Sequence, residues 1–97
     1  MHHMQSHSVY KIPQGKLLKI SLDYDAQTNR ITTIRITGDF FAYPEESIEL
    51  LEKKLRNIPL EETSLHHQIT SIISKHNIEF IGLNAEDLTK GIMMCKP

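Results

Sequence analysis

Between residues 16 and 38 the chain alternates. In "KLLKISLDY" the apolar Leu18, Ile20, Leu22 and Tyr24 take every second position, with Lys19, Ser21 and Asp23 between them. A period of two belongs to a half-buried strand, because successive side chains of an extended backbone point to opposite faces. "DAQTN" follows, a short polar link whose Asp and Asn favour turns. "RITTIRITG" comes next, rich in β-branched residues, with Thr32, Ile34 and Ile36 on one face and Thr33, Arg35 and Thr37 on the other. Two such runs joined by so short a link predict an antiparallel hairpin.

Beyond residue 43 the period changes. Ile48, Leu51 and Leu55 recur at helical spacing, and Leu50 widens the stripe. Pro44 suits the first helical position, which needs no N–H, and Glu45 and Glu46 then fall in the first turn, where the helix dipole favours negative charge. Glu49–Lys53 and Glu52–Arg56 are i,i+4 pairs worth only about 0.2–0.5 kcal/mol each, the ordinary make-up of a solvated helix face. Asn57 and Pro59 break the pattern. A second helix is predicted from near Glu61 to His76, burying Leu65, Ile69, Ile72 and Ile73, with Asn77 as its stop. "IEFIG" reads as a short strand or an extended link. Asn84, with Asp87 three residues on, resembles a cap for a last helix carrying Leu88 and Ile92. Strands and helices are segregated, so the expected class is α+β. The expected architecture is a small antiparallel sheet, made of the hairpin and the short extended strand, packed against about three helices.

The 97 residues fit one domain, expected over residues 9–97. The opening "MHHMQSHSVY" is polar, rich in His and lacks the apolar core of a signal peptide, so residues 1–8 are expected to be disordered or vector-derived. Eleven basic and twelve acidic residues give a net charge of −1. Lys11, Lys16 and Lys19 cluster only loosely, so the basic stripe of a nucleic-acid binder is missing. No apolar run approaches the ~20 residues that cross a bilayer, which argues against a membrane partner. The single Cys95 has no disulfide partner within the chain and points to a reducing, cytoplasmic setting.

Little in the chain reads as catalytic. His66 and His67 are adjacent and would point about 100° apart on a helix, so they do not chelate in the usual i,i+4 manner, and no metal is expected. Cys95 has no CxxC partner and reads as a small apolar side chain near the end. Ser64 and Ser71 lack a strand–turn–helix elbow, and the four glycines are all separated, so no loop cradles a phosphate. Two stretches stand apart. In "KIPQGKLLKI", Pro13 fixes the chain, Gly15 permits an uncommon backbone angle, and Lys11 and Lys16 flank them as point charges suited to a phosphate. A rigid strand-entry turn with two solvated lysines is the plainer account. "GDFF" opens with Gly38 and Asp39 and places two aromatics side by side; the plainer account is a tight turn before two core rings.

Taken in order, "KIPQGKL", an alternating strand, "ITGDFFAYPEE" and "IELLEKKL" resemble the small accessory subunit of the split lipoate–protein ligases of archaea. The pattern is similar also to the C-terminal domain of single-chain lipoate–protein ligases, and covers nearly the whole chain after about Val9. One departure is visible: where the family has Lys-x-Pro-Gly-Gly-Lys, this chain has Gln14 in the first glycine place, while Lys11, Pro13, Gly15 and Lys16 match.

The resemblance implies a non-catalytic subunit that forms a heterodimer with a catalytic large subunit. ATP, Mg²⁺ and lipoate would be used by the complex, with no cofactor held by this chain alone. The complex would activate lipoate to lipoyl-adenylate and pass it to a lysine of a lipoyl-acceptor domain, the small subunit serving the adenylation half. On that view Lys11, Gly15 and Lys16 support adenylation, and Asp39 and Phe41 meet the partner. Pro13, Gly38, Phe40 and Pro44 shape the motifs. By the parity of Ile34 and Ile36, Phe40 continues the core face and Phe41 points outward as an interface anchor. The ligase domain's likeness to sulfur-carrier and iron–sulfur-scaffold proteins leaves an alternative. A cluster, however, needs about three thiolate ligands, and one cysteine is present. An independent enzyme is the other, disfavoured by the missing nucleophile and phosphate loop.

Overall fold

The computed structural model describes residues 3–13 and 16–96. Its elements run β1 (His3–Lys11), β2 (Leu17–Asp25), β3 (Arg30–Gly38), β4 (Phe41–Tyr43), α1 (Ser47–Lys54), α2 (Glu62–Lys75), β5 (Glu79–Ile81) and α3 (Ala85–Met93). The fold is α+β, with three helices on one face of a small antiparallel sheet. None of the helices is long and apolar enough to cross a membrane.

The alternation in β2 becomes its burial pattern. Leu18, Ile20, Leu22 and Tyr24 are all buried, and the hairpin to β3 closes through Asp25, whose carboxylate accepts from the Gln27 N–H at 2.8 Å. Parity fails once in β3. The register skips between Asp23 and Tyr24: Asp23 pairs with Thr33 but Tyr24 with Ile31. This bulge leaves Thr32 exposed and brings Ile31 into the core, correcting the expectation that Thr32 shares a face with Ile34.

The sheet has three strands in the order β1-β2-β3, and the first is where the sequence expectation fails most. Residues 3–8, expected to be disordered, belong to a nine-residue strand paired with β2 from His3↔Asp25 to Lys11↔Leu17. The cause is tertiary. Ser8 is buried, and its hydroxyl donates to the Gly91 carbonyl of α3 at 2.7 Å, while the Lys90 ammonium lies 5.5 Å from the centre of the Tyr10 ring. The short β5 does not join this sheet. It pairs with β4 to make a separate two-stranded ribbon.

The helices close the core over the sheet. Leu51 and Leu55 of the α1 segment, Leu65 and Ile69 of α2, and Leu88 and Ile92 of α3 are fully buried. Pro44 does not start α1. The chain turns first, with the Ser47 N–H donating to the Pro44 carbonyl at 3.0 Å, so Glu45 and Glu46 sit in the turn and the first-turn acid is Glu49. Glu52 does not pair with Arg56. Its carboxylate accepts from the Ile36 N–H at 2.8 Å and so closes part of the outer edge of β3. The start of that edge is bonded to the segment after α1, with the Ile31 N–H donating to the Ile58 carbonyl and the Asn57 N–H to the Ile31 carbonyl.

Helices α2 and α3 begin on their own caps. Glu61 accepts from the Ser64 and Thr63 N–H groups, and the Ser64 side chain together with these N–H groups lowers its carboxyl pKa, while Asn84 accepts from the Asp87 N–H at 2.8 Å. Asn77 ends α2 region at a φ of 52°.

Helix α3 approaches β2 closely because position 91 has no side chain: a Cβ there would lie 2.7 Å from Leu18 Cδ2 and 3.6 Å from Ile20 Cγ1. Both leucine and isoleucine are buried and have nowhere to retreat. Gly91→Val should therefore destabilise the domain by roughly 2 kcal/mol or more through overpacking, outweighing any relief from removing a helical glycine. A denaturant titration of the isolated chain measures it.

Candidate functional site: a ribbon and a lysine at one end of the domain

The two unusual stretches meet in space. The Leu17 N–H donates to Asp39 Oδ1 at 2.7 Å, and the Asp39 N–H returns a bond to the Leu17 carbonyl at 3.3 Å. On the preceding residue, the Lys16 carbonyl accepts from the Ile12 N–H at 2.8 Å. The peptide unit between Lys16 and Leu17 is thus held at both ends, one of them by a charged acceptor. Gly38 lets this happen, since any side chain there would run into the Leu17 carbonyl and the Phe40 ring.

Asp39 is therefore engaged within the chain, although its side chain is exposed. Its first role is to join the turn after β1 to the turn after β3. Gly15, with Gln14, lies outside the described residues. Lys11 is exposed and continues the outward parity of His7 and Val9, away from the helices. Lys16 lies against Gly82 and borders a shallow depression shared with Ile12, Pro13, Leu83, Asn84 and Asp87. The structure thus brings Lys16 and the "GDFF" turn together but leaves Lys11 on another face.

From this joint the ribbon of β4 and β5 extends. Phe41 pairs with Ile81, Ala42 with Phe80, and Tyr43 with Glu79. One face carries Ala42 and Phe80, and Phe80 packs against the core. The other presents Phe41 at 60%, Tyr43 at 51% and Ile81 at 49% exposure, three large side chains gathered on a strip two strands wide. Phe40 precedes the ribbon, is half-buried and packs against the core. Clustered exposure of this kind marks an interaction surface more than scattered surface residues do.

Sequence reasoning missed Tyr43, Ile81 and Gly82. Ile81 and Gly82 lie in the short "IEFIG" run and Tyr43 in "ITGDFFAYPEE", but the pairing of these strands cannot be read from local pattern because 35 residues of helix and turn separate Tyr43 from its partner Glu79.

Cys95 is buried at 2% exposure, with its sulfur 3.8 Å from the Gly91 carbonyl and 4.0 Å from the Ile20 carbonyl. Burial pushes the thiol's pKa up, so little of it is thiolate near neutrality. That disfavours a sulfur-transfer role. Among the described residues no three His, Cys, Asp or Glu side chains are placed to share a metal ion.

The exposed strip of Phe41, Tyr43 and Ile81, continued through Gly82 to the Lys16 stem, is the candidate docking surface of this domain. Comparison with known proteins places it. Residues 11–92 match the family model of the bacterial lipoate protein ligase C-terminus, and the chain belongs to that family. It is 45% identical over 59 residues to lipoate-protein ligase A subunit 2 of Thermoplasma acidophilum; the match takes in 61% of this chain and 60% of that relative's length. It is also similar to a chain from the solved bipartite lipoate protein ligase and lipoyl domain of Thermoplasma acidophilum. The TM-score is 0.80 with 31% identity, over 93% of this chain and 96% of that one.

The two phenylalanines should fail differently. Phe40→Ala should cost about 2–3 kcal/mol of stability, less than the 3–5 of a fully buried ring. Phe41→Ala should leave the melting temperature nearly unchanged, because its ring is mostly solvated already. Thermal melts of both variants check this. Cys95 in the native chain should react slowly with iodoacetamide at pH 8 and rapidly once denaturant is added; equal rates would show that the thiol is open to solvent.

Proposed function

We propose that this chain is the small accessory subunit of a bipartite lipoate–protein ligase. It docks on a catalytic large subunit as a heterodimer and is required for ATP-dependent activation of lipoate to lipoyl-adenylate, before transfer to a lysine of a lipoyl domain. The observation that carries the reading is the near full-length likeness, at 31% identity, to a chain from a bipartite ligase. The sequence is consistent with it: without a nucleophile elbow or a phosphate-cradling loop, the chain needs a partner to carry the chemistry. ATP, Mg²⁺ and lipoate would bind in the complex, and a lone thiol suits the reducing cytoplasm.

The exposed surface supports a physical role on this reading. Phe41, Tyr43 and Ile81 supply apolar area to the partner, with the two aromatics as anchors. Docking holds mobile loops of the large subunit closed over ATP and lipoate, which excludes water and fixes the geometry of attack. Lys16, beside the strip, stabilises charge that develops on the phosphates.

The chain alone should show no lipoate-dependent ATP–pyrophosphate exchange, and adding its large subunit should create it. Exchange by the purified chain alone would overturn the accessory reading. In the complex, Phe41→Ala should weaken docking by about 2 kcal/mol, roughly thirtyfold in Kd. Lys16→Ala should dock nearly normally yet slow adenylate formation, with transfer from preformed lipoyl-adenylate spared. A titration and the two half-reactions measured separately distinguish these effects.

A further inference from the structure

The Lys16 side chain does not stand free of the surface. Its backbone is fixed by Ile12 on one side and by Asp39, through Leu17, on the other. From there the stem crosses the α-carbon of Gly82. A Cβ added at Gly82 would lie 2.9 Å from Lys16 Cγ, 3.2 Å from Cδ and 3.1 Å from Cε. Near-equal distances to three consecutive methylenes mean that the stem lies along the Gly82 backbone and does not merely touch it with its tip. Gly82 also has a φ of +86°, which L side chains rarely adopt.

We infer that Gly82 is a positioning residue for Lys16: its bare backbone is the track on which the lysine stem lies, and this fixes where the ammonium is presented beside the ribbon. The inference rests on the reading of Lys16 as a cation that supports adenylation. A lysine has four rotatable side-chain bonds, and ordering it during the reaction opposes catalysis. Laying the stem on Gly82 removes much of that freedom beforehand, so the charge is in place when phosphate charge develops. The charge is also available. Asp87 borders the same depression, yet among the described residues Lys16 has no carboxylate within 4.0 Å. Ile81, which faces Phe41 across the ribbon, is the residue before Gly82, so the track is continuous with the apolar strip.

A glycine could instead be needed at 82 only for the turn into α3. Gly82→Asn separates the two roles, because asparagine tolerates positive φ better than other residues but carries a Cβ into the path of the stem. In the complex with the large subunit that co-purifies with the chain, four proteins are compared: wild type, Gly82→Asn, Lys16→Ala and the double variant. Gly82→Asn should fold and dock nearly as wild type, slow lipoate-dependent pyrophosphate exchange about tenfold, and spare transfer from preformed lipoyl-adenylate. In the Lys16→Ala background it should slow exchange no further. Wild-type exchange by Gly82→Asn, or slowing that simply adds to that of Lys16→Ala, overturns the inference.

NMR of the isolated wild-type chain, labelled with ¹³C-lysine, tests the track without the reaction. The Lys16 γ, δ and ε methylene protons should be resolved as separate, ordered pairs, unlike those of exposed lysines such as Lys53. Averaged Lys16 signals overturn the track, and this measurement stands even if Gly82→Asn does not fold. Ordered signals together with normal exchange by Lys16→Ala keep the track and remove the lysine's part in adenylation.

Discussion

The peptide unit between Lys16 and Leu17 is bonded at both ends, its carbonyl to the Ile12 N–H and its N–H to the Asp39 carboxylate. The first closes the turn after β1, and the second crosses to the turn after β3, far away in sequence. The candidate site at this end of the domain is built around these bonds. The ribbon leaves the sheet immediately after Asp39, so its placement beside Lys16 depends on where Asp39 is held. The carboxylate is exposed, and an exposed hydrogen bond contributes modestly to stability. Its effect on geometry is larger, because it fixes two chain reversals relative to each other.

Much of the fold was legible because the polar and apolar residues follow the period of the element they occupy. The burial of Leu18, Ile20, Leu22 and Tyr24, the stripe of Leu65, Ile69 and Ile72, and the stops and caps at Asn77 and Asn84 all follow from local pattern. Strand β1 was not legible for the same reason inverted. Its inward position at Ser8 is polar and is satisfied by a carbonyl 83 residues away, so composition hides the strand. The bulge at Thr32 and the late start of α1 after Pro44 were also hidden, since both depend on pairing or turning that the local sequence leaves open.

The candidate site was partly legible, and for a reason that differs from the structural one. Parity carried forward from Ile34 and Ile36 points Phe41 outward. Parity is not in fact transmitted, because Gly38 and Asp39 end β3 and Phe40 lies between strands. Phe41 faces out because it begins a new strand, whose next residue, Ala42, shares the inward face with Phe80. The same turn explains Asp39. The family resemblance implies that Asp39 meets the partner, and within the chain one of its carboxylate oxygens accepts from the Leu17 N–H. No local pattern reveals a hydrogen bond across 22 residues.

The division of chemistry on this small domain has a thermodynamic logic. A chain of 97 residues has most of its large apolar side chains committed to one core, and its only thiol is buried in that core. What remains for function is surface. Apolar contacts through Phe41, Tyr43 and Ile81 would be equally strong before and during the reaction, so they raise affinity for the partner without selecting the transition state. A cation held at a fixed point does the opposite: it contributes most when negative charge grows opposite it. If the proposed function holds, placing the two side by side would let an interface of ordinary strength hold the lysine where reaction-specific stabilisation is needed. On the proposed function, an accessory subunit built this way would act on rate through order in the complex, while the reacting groups would remain with its partner.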